Sequence, residues 1–366
     1  MTTAGPVDLH EVARHAEAVL PHDVWDFIAG GSGAELTMAA NRAALDRVAL
    51  RPRVLAGGSG VDLGCTLVRS GSAMPVATAP MAYQRMAHPD GELAMAEAAK
   101  LAGIPYTAAT LSSVRLEEIA EVGAELWFQL YWLRDLSMVD NLVARAEDAG
   151  CTALMLTVDV PILGRRLRDV RNGFALPDHL VAANLVGSGT PDTTGPAPVG
   201  GSAFAGHTSA ALDPTLSWAH LERLRTRTTL PLVLKGIMHP DDARIAVRRG
   251  VDALVVSNHG GRQLDGTQAS VDALPDVVAA VDGRVPVLFD SGVRGGVDVL
   301  RALALGATGV LLGRPLLYGL ATGGAAGAGR VLDLVRGELA DAMTIAGCAN
   351  PAAARTIAAP TGDEGT

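Results

Sequence analysis

Residues 285–316 read VPVLFDSGVRGGVDVLRALALGATGVLLGRPL, and this stretch decides the fold class. An apolar run, Val285–Phe289, is followed by the helical spacing of Val297–Leu305 and by a second apolar run, Gly309–Leu312. A strand, a helix and a strand in this order predict two parallel strands joined by a helical crossover. Glycine and polar residues stand directly after each run, which is typical of the functional loops in α/β folds.

The same alternation extends outward over most of the chain. Apolar runs that predict strands occur at Pro75–Ala79, Ile104–Ala108, Leu126–Leu130, Ala153–Val158, Leu232–Leu234, Ala253–Val256, Val285–Phe289 and Gly309–Leu312. Helical stretches separate most of them, at Gly91–Ala102, Asp135–Asp148, Asp241–Arg249 and Val297–Leu305. Continuous apolar runs indicate strands buried on both faces, and eight such units close without leaving an edge. The sequence therefore predicts an α/β fold, a (β/α)₈ TIM barrel, as a single domain over residues 1–366.

Three segments lie outside this repeat. Residues 1–74 predict N-terminal helices at Val7–Leu20 and His22–Ala29, followed by a small hairpin that pairs residues 61–63 with 66–68. Residues 178–215, after the fourth strand, are rich in Gly, Ser, Thr and Pro, so we expect either an active-site cover or disorder. Residues 352–366 are expected to form a flexible tail.

Bulk composition excludes several classes of partner. The net charge of −9 argues against nucleic acid or an anionic membrane as the main partner. The three cysteines are far apart and predict neither a disulfide framework nor a metal site. Because the chain shows neither a signal-peptide pattern nor a membrane-spanning apolar run, a cytoplasmic location is expected.

Polar residues and glycines recur at the carboxyl ends of six predicted strands. In strand order, from the third to the eighth, they are Gln129 and Tyr131, then Thr157 and Asp159, then Lys235, then Ser257 and His259, then Asp290, Gly292 and Arg294, and finally Gly313 and Arg314. Active sites of this barrel lie at that end, so these residues predict one shared ligand site.

The last two loops indicate a phosphate site. Gly292 and Gly313 can present backbone N–H groups, and Arg294 and Arg314 can add charge-assisted contacts. The alternative is that each glycine simply turns the chain.

Lys235 ends an apolar strand, so its ammonium needs an anion. A flavin that becomes anionic on reduction would supply that anion, and a Schiff-base lysine is the competing interpretation. Three residues beyond His259, Arg262 can bind a carboxylate while the histidine takes a proton from a neighbouring group, and Asp159 can orient the imidazole. A purely structural histidine is the alternative.

Several long motifs stand in one order along the chain: WFQLYWLRD at 127–135, LTVDVPILGRRLRDVRNGF at 156–174 and SNHGGRQLDG at 257–266. Together they resemble the FMN-dependent 2-hydroxy acid oxidase and dehydrogenase family. The resemblance implies that His259 is the base, supported by Asp159, and that Arg262, Arg166 and Tyr131 bind the substrate. It implies that Lys235 meets the flavin N1–O2 edge, and that the isoalloxazine and ribityl parts contact Pro80, Met81, Ala82, Gln129, Thr157 and Ser257. It places the ribityl and phosphate end at Asp290, Gly292, Arg294, Gly313 and Arg314, and it implies a homotetramer.

One departure bears on the substrate. Many members carry Tyr where this chain has Phe27, so one hydrogen bond to the substrate carboxylate is missing. With Tyr83 and Trp132, Phe27 makes the chain look most similar to the 4-hydroxymandelate oxidases, which supply 4-hydroxyphenylglycine for peptide antibiotics. An aromatic pocket favours an aryl substrate.

We therefore expect oxidation of (S)-4-hydroxymandelate to 4-hydroxybenzoylformate, with O₂ reduced to H₂O₂. Three alternatives stay open: a mandelate, lactate or glycolate oxidase; a dehydrogenase that uses another electron acceptor; and an FMN isomerase or non-catalytic phosphate binder. Of these alternatives, only the FMN isomerase or non-catalytic phosphate binder would not need His259 and Arg262.

Overall fold

The computed structural model describes residues 5–56, 60–186 and 210–359. Its centre is a sheet of eight parallel strands: β3 (Val76–Thr78), β4 (Tyr106–Ala109), β5 (Leu126–Leu130), β6 (Ala153–Thr157), β7 (Leu232–Ile237), β8 (Ala253–Val256), β9 (Val287–Phe289) and β10 (Gly309–Leu312). Each lies next to its sequence neighbour, and β10 pairs with β3. Thr78 completes the circle beside β4, because its N–H donates to the Pro105 carbonyl (3.0 Å) and its Oγ1 accepts from the Thr107 N–H (2.7 Å). The predicted TIM barrel is thus confirmed, with all eight strands at the predicted runs.

The barrel interior follows the two-residue period of its strands. Ala77, Trp127, Met155, Val233, Val255, Leu288 and Leu311 form one fully buried cluster inside it. The residue two positions later on each strand lies one layer nearer the carboxyl end. That next layer therefore contains Gln129, Thr157, Lys235, Ser257 and Asp290, which explains why polar side chains gather at this end of the barrel.

Helices surround the barrel. After the N-terminal helices α1 (Leu9–Val19), α2 (His22–Ala29) and α3 (Leu36–Arg47) come α4 (Gly91–Ala102), α5 (Leu116–Glu121), α6 (Leu136–Asp148), α7 (Leu167–Arg171), α8 (Trp218–Arg225), α9 (Pro240–Arg248), α10 (Ser270–Val281), α11 (Gly296–Ala304) and α12 (Arg314–Ala346). The Asp8 side chain caps α1 by accepting from the Glu11 N–H at 2.7 Å. Helix α12 is kinked at Gly323–Gly324, where the backbone leaves helical geometry. No helix in the described parts of the chain is both long and apolar enough to cross a membrane.

The N-terminal hairpin differs from the prediction. Its strands are β1 (Cys65–Leu67) and β2 (Ser70–Ser72), joined by a two-residue turn at Val68–Arg69 in which Val68 has a positive φ of 55°. Residues 61–63 instead lie against the C-terminal segment, where the Asp62 N–H donates to the Ala349 carbonyl (3.0 Å). The shift places Leu67 in the buried cluster inside the barrel, a contact that alternation along the chain did not reveal.

The two remaining irregular segments are partly described. In the long segment after β6, residues 187–209 lie outside the described residues, whereas Leu180 and Leu185 are buried and the Ala183 N–H donates to the Ser112 carbonyl (2.9 Å). The segment from 352, expected to be flexible, begins inside a 3₁₀ helix, Pro351–Thr356, and continues through the buried Ile357. Residues 360–366 lie outside the described residues.

Candidate active site

A cleft of about 1120 Å³, its open mouth included, lies at the carboxyl end of the barrel. Most of the predicted site residues line it: Pro80, Met81, Ala82, Tyr131, Arg166, Lys235, His259, Arg262, Asp290, Gly292, Arg294, Gly313 and Arg314. Apolar side chains complete the wall, among them Phe27, Met86, Leu111 and Leu163. Residues at the ends of five strands, β5 and β7 to β10, therefore line this one cleft.

Four predicted residues lie just below or behind the cleft wall. Gln129, Thr157 and Ser257 are buried in the top layer of the barrel, where the Gln129 amide donates to Thr157 Oγ1 at 3.0 Å. Asp159 lines a neighbouring cavity behind His259. Trp132 was expected to contribute to an aromatic pocket, but it is not among the described residues that line the cleft; it is buried with its ring centroid 5.2 Å from that of His220.

The loop after β8 holds the candidate base in a strained backbone. His259, Gly260 and Gly261 have consecutive positive φ values of 59°, 68° and 73°. A non-glycine residue adopts this conformation only at a cost, and such strain is concentrated at functional sites. A pair of amide hydrogen bonds between Asn41 and Asn258, at 2.8 and 2.7 Å, fastens the loop to α3. The strain at His259 supports a functional role over a purely structural one.

His259 and Asp159 form a hydrogen-bonded pair. Nδ1 of the imidazole lies 3.0 Å from Oδ1 of the carboxylate, which leaves Nε2 available to a ligand. Burial lowers the pKa of His259, Asp159 partly opposes that shift, and Lys235 adds to it. The histidine is therefore neutral near pH 7 and can accept a proton. Gln263 holds the aspartate backbone by donating to its carbonyl at 2.8 Å.

Lys235 is buried beside two groups of the top layer. Its Nζ lies 3.1 Å from Asp290 Oδ2 and donates to Ser257 Oγ at 3.1 Å. Burial opposes the charged form, but Asp290 and Asp159 outweigh it and raise the pKa of Lys235. The ammonium is therefore a permanent positive charge on the floor of the cleft.

Two arginines flank an aromatic stack on one wall. The guanidinium carbons of Arg262 and Arg166 lie 5.3 and 5.4 Å from the Phe27 ring centroid, and the Phe27 ring stacks on Phe174 at 4.5 Å. Nη1 of Arg262 donates to the carbonyls of Phe27 (2.8 Å) and Gly30 (2.7 Å). Burial lowers the pKa of Arg262, and the neighbouring arginines lower it further. Such a concentration of desolvated positive charge suits a carboxylate ligand.

The same cleft contains a second pair of cations, Arg294 and Arg314, which are partly exposed. In the described part of the chain, the guanidinium groups of Arg294 and Arg314 donate only to backbone carbonyls. Burial and the proximity of Arg294 lower the pKa of Arg314 to about 10. Gly313, at the N-terminus of α12, and Gly292 (φ 96°) border the same space. Two desolvated cations next to a helix N-terminus fit a phosphate group.

Sequence reasoning missed one residue of this region. Ser291 adopts a positive φ of 83°. Its Oγ accepts a hydrogen bond from the Gly260 N–H (2.9 Å) and donates one to Asp290 Oδ1 (2.8 Å). It thereby connects the loops after β8 and β9. Its position directly after Asp290 at a strand end was the available signal, but that signal did not separate it from an ordinary loop serine. Within the described residues no cluster of His, Cys, Asp or Glu could hold a metal ion.

Comparisons with known proteins agree on one family. The model of the FMN-dependent dehydrogenase family matches residues 16–358. A 4-hydroxymandelate oxidase of Amycolatopsis orientalis is 51% identical over 352 residues, which cover 96% of this chain and 97% of that protein. An L-lactate oxidase of Nostoc sp. is 47% identical, covering 94% and 95%. A crystal structure of mandelate oxidase with (S)-4-hydroxymandelic acid superimposes with a TM-score of 0.93 at 51% identity, covering 96% and 98%.

Proposed function

Because the chain belongs to the FMN-dependent dehydrogenase family, we propose that it oxidises an aryl (S)-2-hydroxy acid, 4-hydroxymandelate in particular, to the 2-keto acid. The observation that carries this proposal is the convergence of His259, Arg262 and Lys235 on one cleft. Together they offer a proton acceptor, a carboxylate ligand and a fixed positive charge. The 4-hydroxymandelate oxidase and mandelate oxidase relatives supply the substrate class.

The residues of the cleft fit FMN. Arg294, Arg314 and the glycines at 292 and 313 would hold its phosphate, Asp290 its ribityl chain, and Lys235 the N1–O2 edge of its ring. The walls against the rest of the cofactor would come from Pro80, Met81, Ala82, Gln129, Thr157 and Ser257. Bound FMN would supply the acceptor for the substrate's electron pair and the route by which O₂ is reduced to H₂O₂.

The protein's own side chains would position the substrate and manage its proton. Arg262 and Arg166 would bind the carboxylate, and Tyr131, whose side chain lines the same cleft, would hydrogen-bond the substrate. The substrate loses two hydrogens, one from its hydroxyl oxygen and one from Cα, together with one electron pair. Nε2 of neutral His259 would accept one of these hydrogens as a proton, and bound FMN would accept the electron pair with the other hydrogen. Asp159 would stabilise the imidazolium, and both hydrogens and the electron pair would leave in H₂O₂.

The aromatic wall supports an aryl substrate. Phe27 and Phe174 stack without a hydroxyl at position 27, and Met86, Leu111 and Leu163 add apolar surface around the same cleft. An aryl ring gains more from such a wall than the methyl group of lactate or the hydrogen of glycolate does.

We also propose the setting in which the enzyme works. The enzyme would work in the cytoplasm, and family resemblance supports a homotetramer. Similarity to 4-hydroxymandelate oxidase supports a role in making an aryl 2-keto acid for peptide antibiotics. The chain would act as one FMN-binding domain.

An anaerobic bleaching screen tests the function. The purified yellow protein is mixed without O₂ with glycolate, lactate, mandelate or 4-hydroxymandelate, and flavin absorbance is followed. We expect the fastest bleaching with 4-hydroxymandelate, and peroxide release when air is admitted. A protein that takes up no FMN, or whose flavin stays oxidised with every acid, would refute the proposal.

A histidine pair tests the assigned base. His259→Gln should slow bleaching roughly 10²–10⁴-fold, the usual contribution of a positioned acid–base group. The matched control is His15→Gln, at an exposed histidine on α1, which should bleach like the unmodified protein. Equal rates in the two variants would exclude His259 as the base.

A further inference from the structure

A buried carboxylate lies behind the two arginines of the aromatic wall. Asp169, on α7, is only 3% exposed, and its Oδ2 lies 3.9 Å from Nη1 of Arg166. In the described part of the chain Oδ1 accepts no hydrogen bond. The spacing in GRRLRD places Arg166 and Asp169 three residues apart, on one face of a helical turn. A buried carboxylate with so few hydrogen bonds is costly, so its retention requires an explanation.

The contacts that hold α7 in place do not explain why a buried carboxylate stands at position 169. Arg168 and Asn172 fasten this helix to α2: Arg168 donates to Asp26 Oδ1 (3.0 Å) and to Glu35 (2.7 Å), and Asn172 donates to Asp26 Oδ2 (2.8 Å). Asp169 makes none of these contacts. Its side chain instead lies toward the interior, where its charge acts on the cleft.

The charges that face Asp169 come from three elements. They are Arg166 at the start of its own helix, Arg262 in the loop after β8, and Asp26 on α2. Burial raises the pKa of Asp169, the two arginines oppose that shift, and Asp26 adds to it. The strongest neighbours of this carboxylate are therefore the two arginines proposed to bind substrate.

We propose that Asp169 is a positioning residue that sets how much positive charge Arg166 and Arg262 present to the substrate carboxylate. This inference rests on the proposed function, in which both substrate and product carry that carboxylate. Tight binding of a group common to both would slow product release without favouring the transition state. The negative charge of Asp169 behind Arg166 and Arg262 keeps their two guanidinium groups oriented. It also limits the affinity of these two groups for anions.

The test is ligand binding to the FMN-loaded Asp169→Asn variant, followed by flavin absorbance. The probes are benzoylformate, a product-like anion, and benzoylformamide, its neutral counterpart. A charge about 8 Å from the ligand carboxylate, at an effective dielectric constant of about 20, changes a dissociation constant roughly thirtyfold, and residual solvent lowers that effect. We expect benzoylformate to bind roughly 5- to 30-fold more tightly and benzoylformamide to change less than about twofold.

The matched control is Asp148→Asn, which removes an exposed carboxylate at the end of α6, outside the cleft. It should not tighten binding of the anion. Unchanged or weaker benzoylformate binding in Asp169→Asn would overturn the inference, because a merely structural aspartate loosens the site when it is removed. If the unmodified protein binds neither probe and no acid bleaches it, the proposed function fails first.

A second measurement applies if Asp169→Asn does not fold. In a background that carries both His259→Gln and Asp159→Asn, which removes the nearby titrating pair, benzoylformate affinity is followed as the pH falls. Because the pKa of Asp169 is raised, the carboxylate takes up a proton on acidification and its negative charge disappears. Binding should therefore tighten toward acidic pH for benzoylformate and not for benzoylformamide. Parallel behaviour of the two probes would refute the inference.

Discussion

Replacing Asp159 with Asn removes a charge from the proposed base while nearly keeping its shape. Oδ1 of Asp159 lies 3.0 Å from Nδ1 of His259, and Oδ2 makes no hydrogen bond in the described part of the chain. Two opposite charges about 4 Å apart at an effective dielectric constant of about 20 attract by about 4 kcal/mol. The amide dipole of asparagine recovers part of this, so about 2–3 kcal/mol of imidazolium stabilisation should be lost. Flavin reduction should therefore slow roughly 30- to 150-fold.

The pH profile of Asp159→Asn should shift in a defined direction. Asp159 raises the pKa of His259 against the larger effect of burial, so its loss lowers that pKa further. The base works when neutral, that is, above its pKa. The acid limb of the rate profile should accordingly move to lower pH, even though the maximal rate falls.

Anaerobic stopped-flow measurement of flavin bleaching across the pH range gives both quantities. Asp148→Asn, at the exposed end of α6, is the matched control and should leave rate and profile unchanged. FMN content and thermal midpoint show whether the variant is intact. A rate within threefold of the unmodified protein, or an acid limb that stays or moves to higher pH, would refute the assigned role of Asp159.

Three further changes test other parts of the structure. Phe27→Tyr should lower the KM for lactate roughly tenfold by adding a hydrogen bond of about 1.5 kcal/mol to the substrate carboxylate; an unchanged KM for every acid in steady-state oxygen uptake would contradict this. Gly260→Ala should weaken FMN binding by about 1–3 kcal/mol in equilibrium dialysis, because φ is +68° and the new Cβ would lie 2.9 Å from Nη1 of Arg314; full FMN retention would show that the loop adapts. Glu117→Gln breaks an ion pair with Arg145 (2.6 Å) that lowers the pKa of Glu117 from 4.5 to about 2, so its stabilisation is present above pH 4.5 and disappears as the pH falls through about 2. Because Glu117 is two-fifths exposed, the variant's free energy of unfolding in urea at pH 7 should be lower by less than about 1 kcal/mol. This difference should become smaller in acid, and a difference that grows in acid would contradict the assigned ion pair.

The barrel could be predicted from the sequence because its signals are local. Each strand is a short apolar run bounded by turns, and its carboxyl end is marked by a polar residue such as Lys235 or Asp290. Since parallel strands all end on one side, the prediction that these residues form one site needed no knowledge of their contacts. The expected FMN dependence and family were confirmed by the family match over residues 16–358.

Contacts between distant segments could not be predicted in this way. Asn41 and Asn258 are 217 residues apart, and neither local sequence indicates that the two side chains are in contact. Asp265 accepts from the Ala34 and Thr37 N–H groups and so anchors the start of α3, although LDG at that point reads as an ordinary turn. Trp132 illustrates the converse error: an aromatic residue beside a strand end was assigned to the pocket, whereas it packs on His220 outside it.

The first thirty residues complete a site that the barrel alone lacks. Arg262 and Arg314 both donate to the Ile28 and Gly30 carbonyls, so the end of α2 is attached to two neighbouring cations of the cleft. Occupancy of the cleft and attachment of this arm should consequently be thermodynamically linked, each stabilising the other. Without FMN, the segment that includes α2 should therefore detach from the barrel more often than it does with FMN bound. Slower protease cleavage near Pro21 after FMN is added would reveal that linkage, and cleavage indifferent to FMN would argue against it.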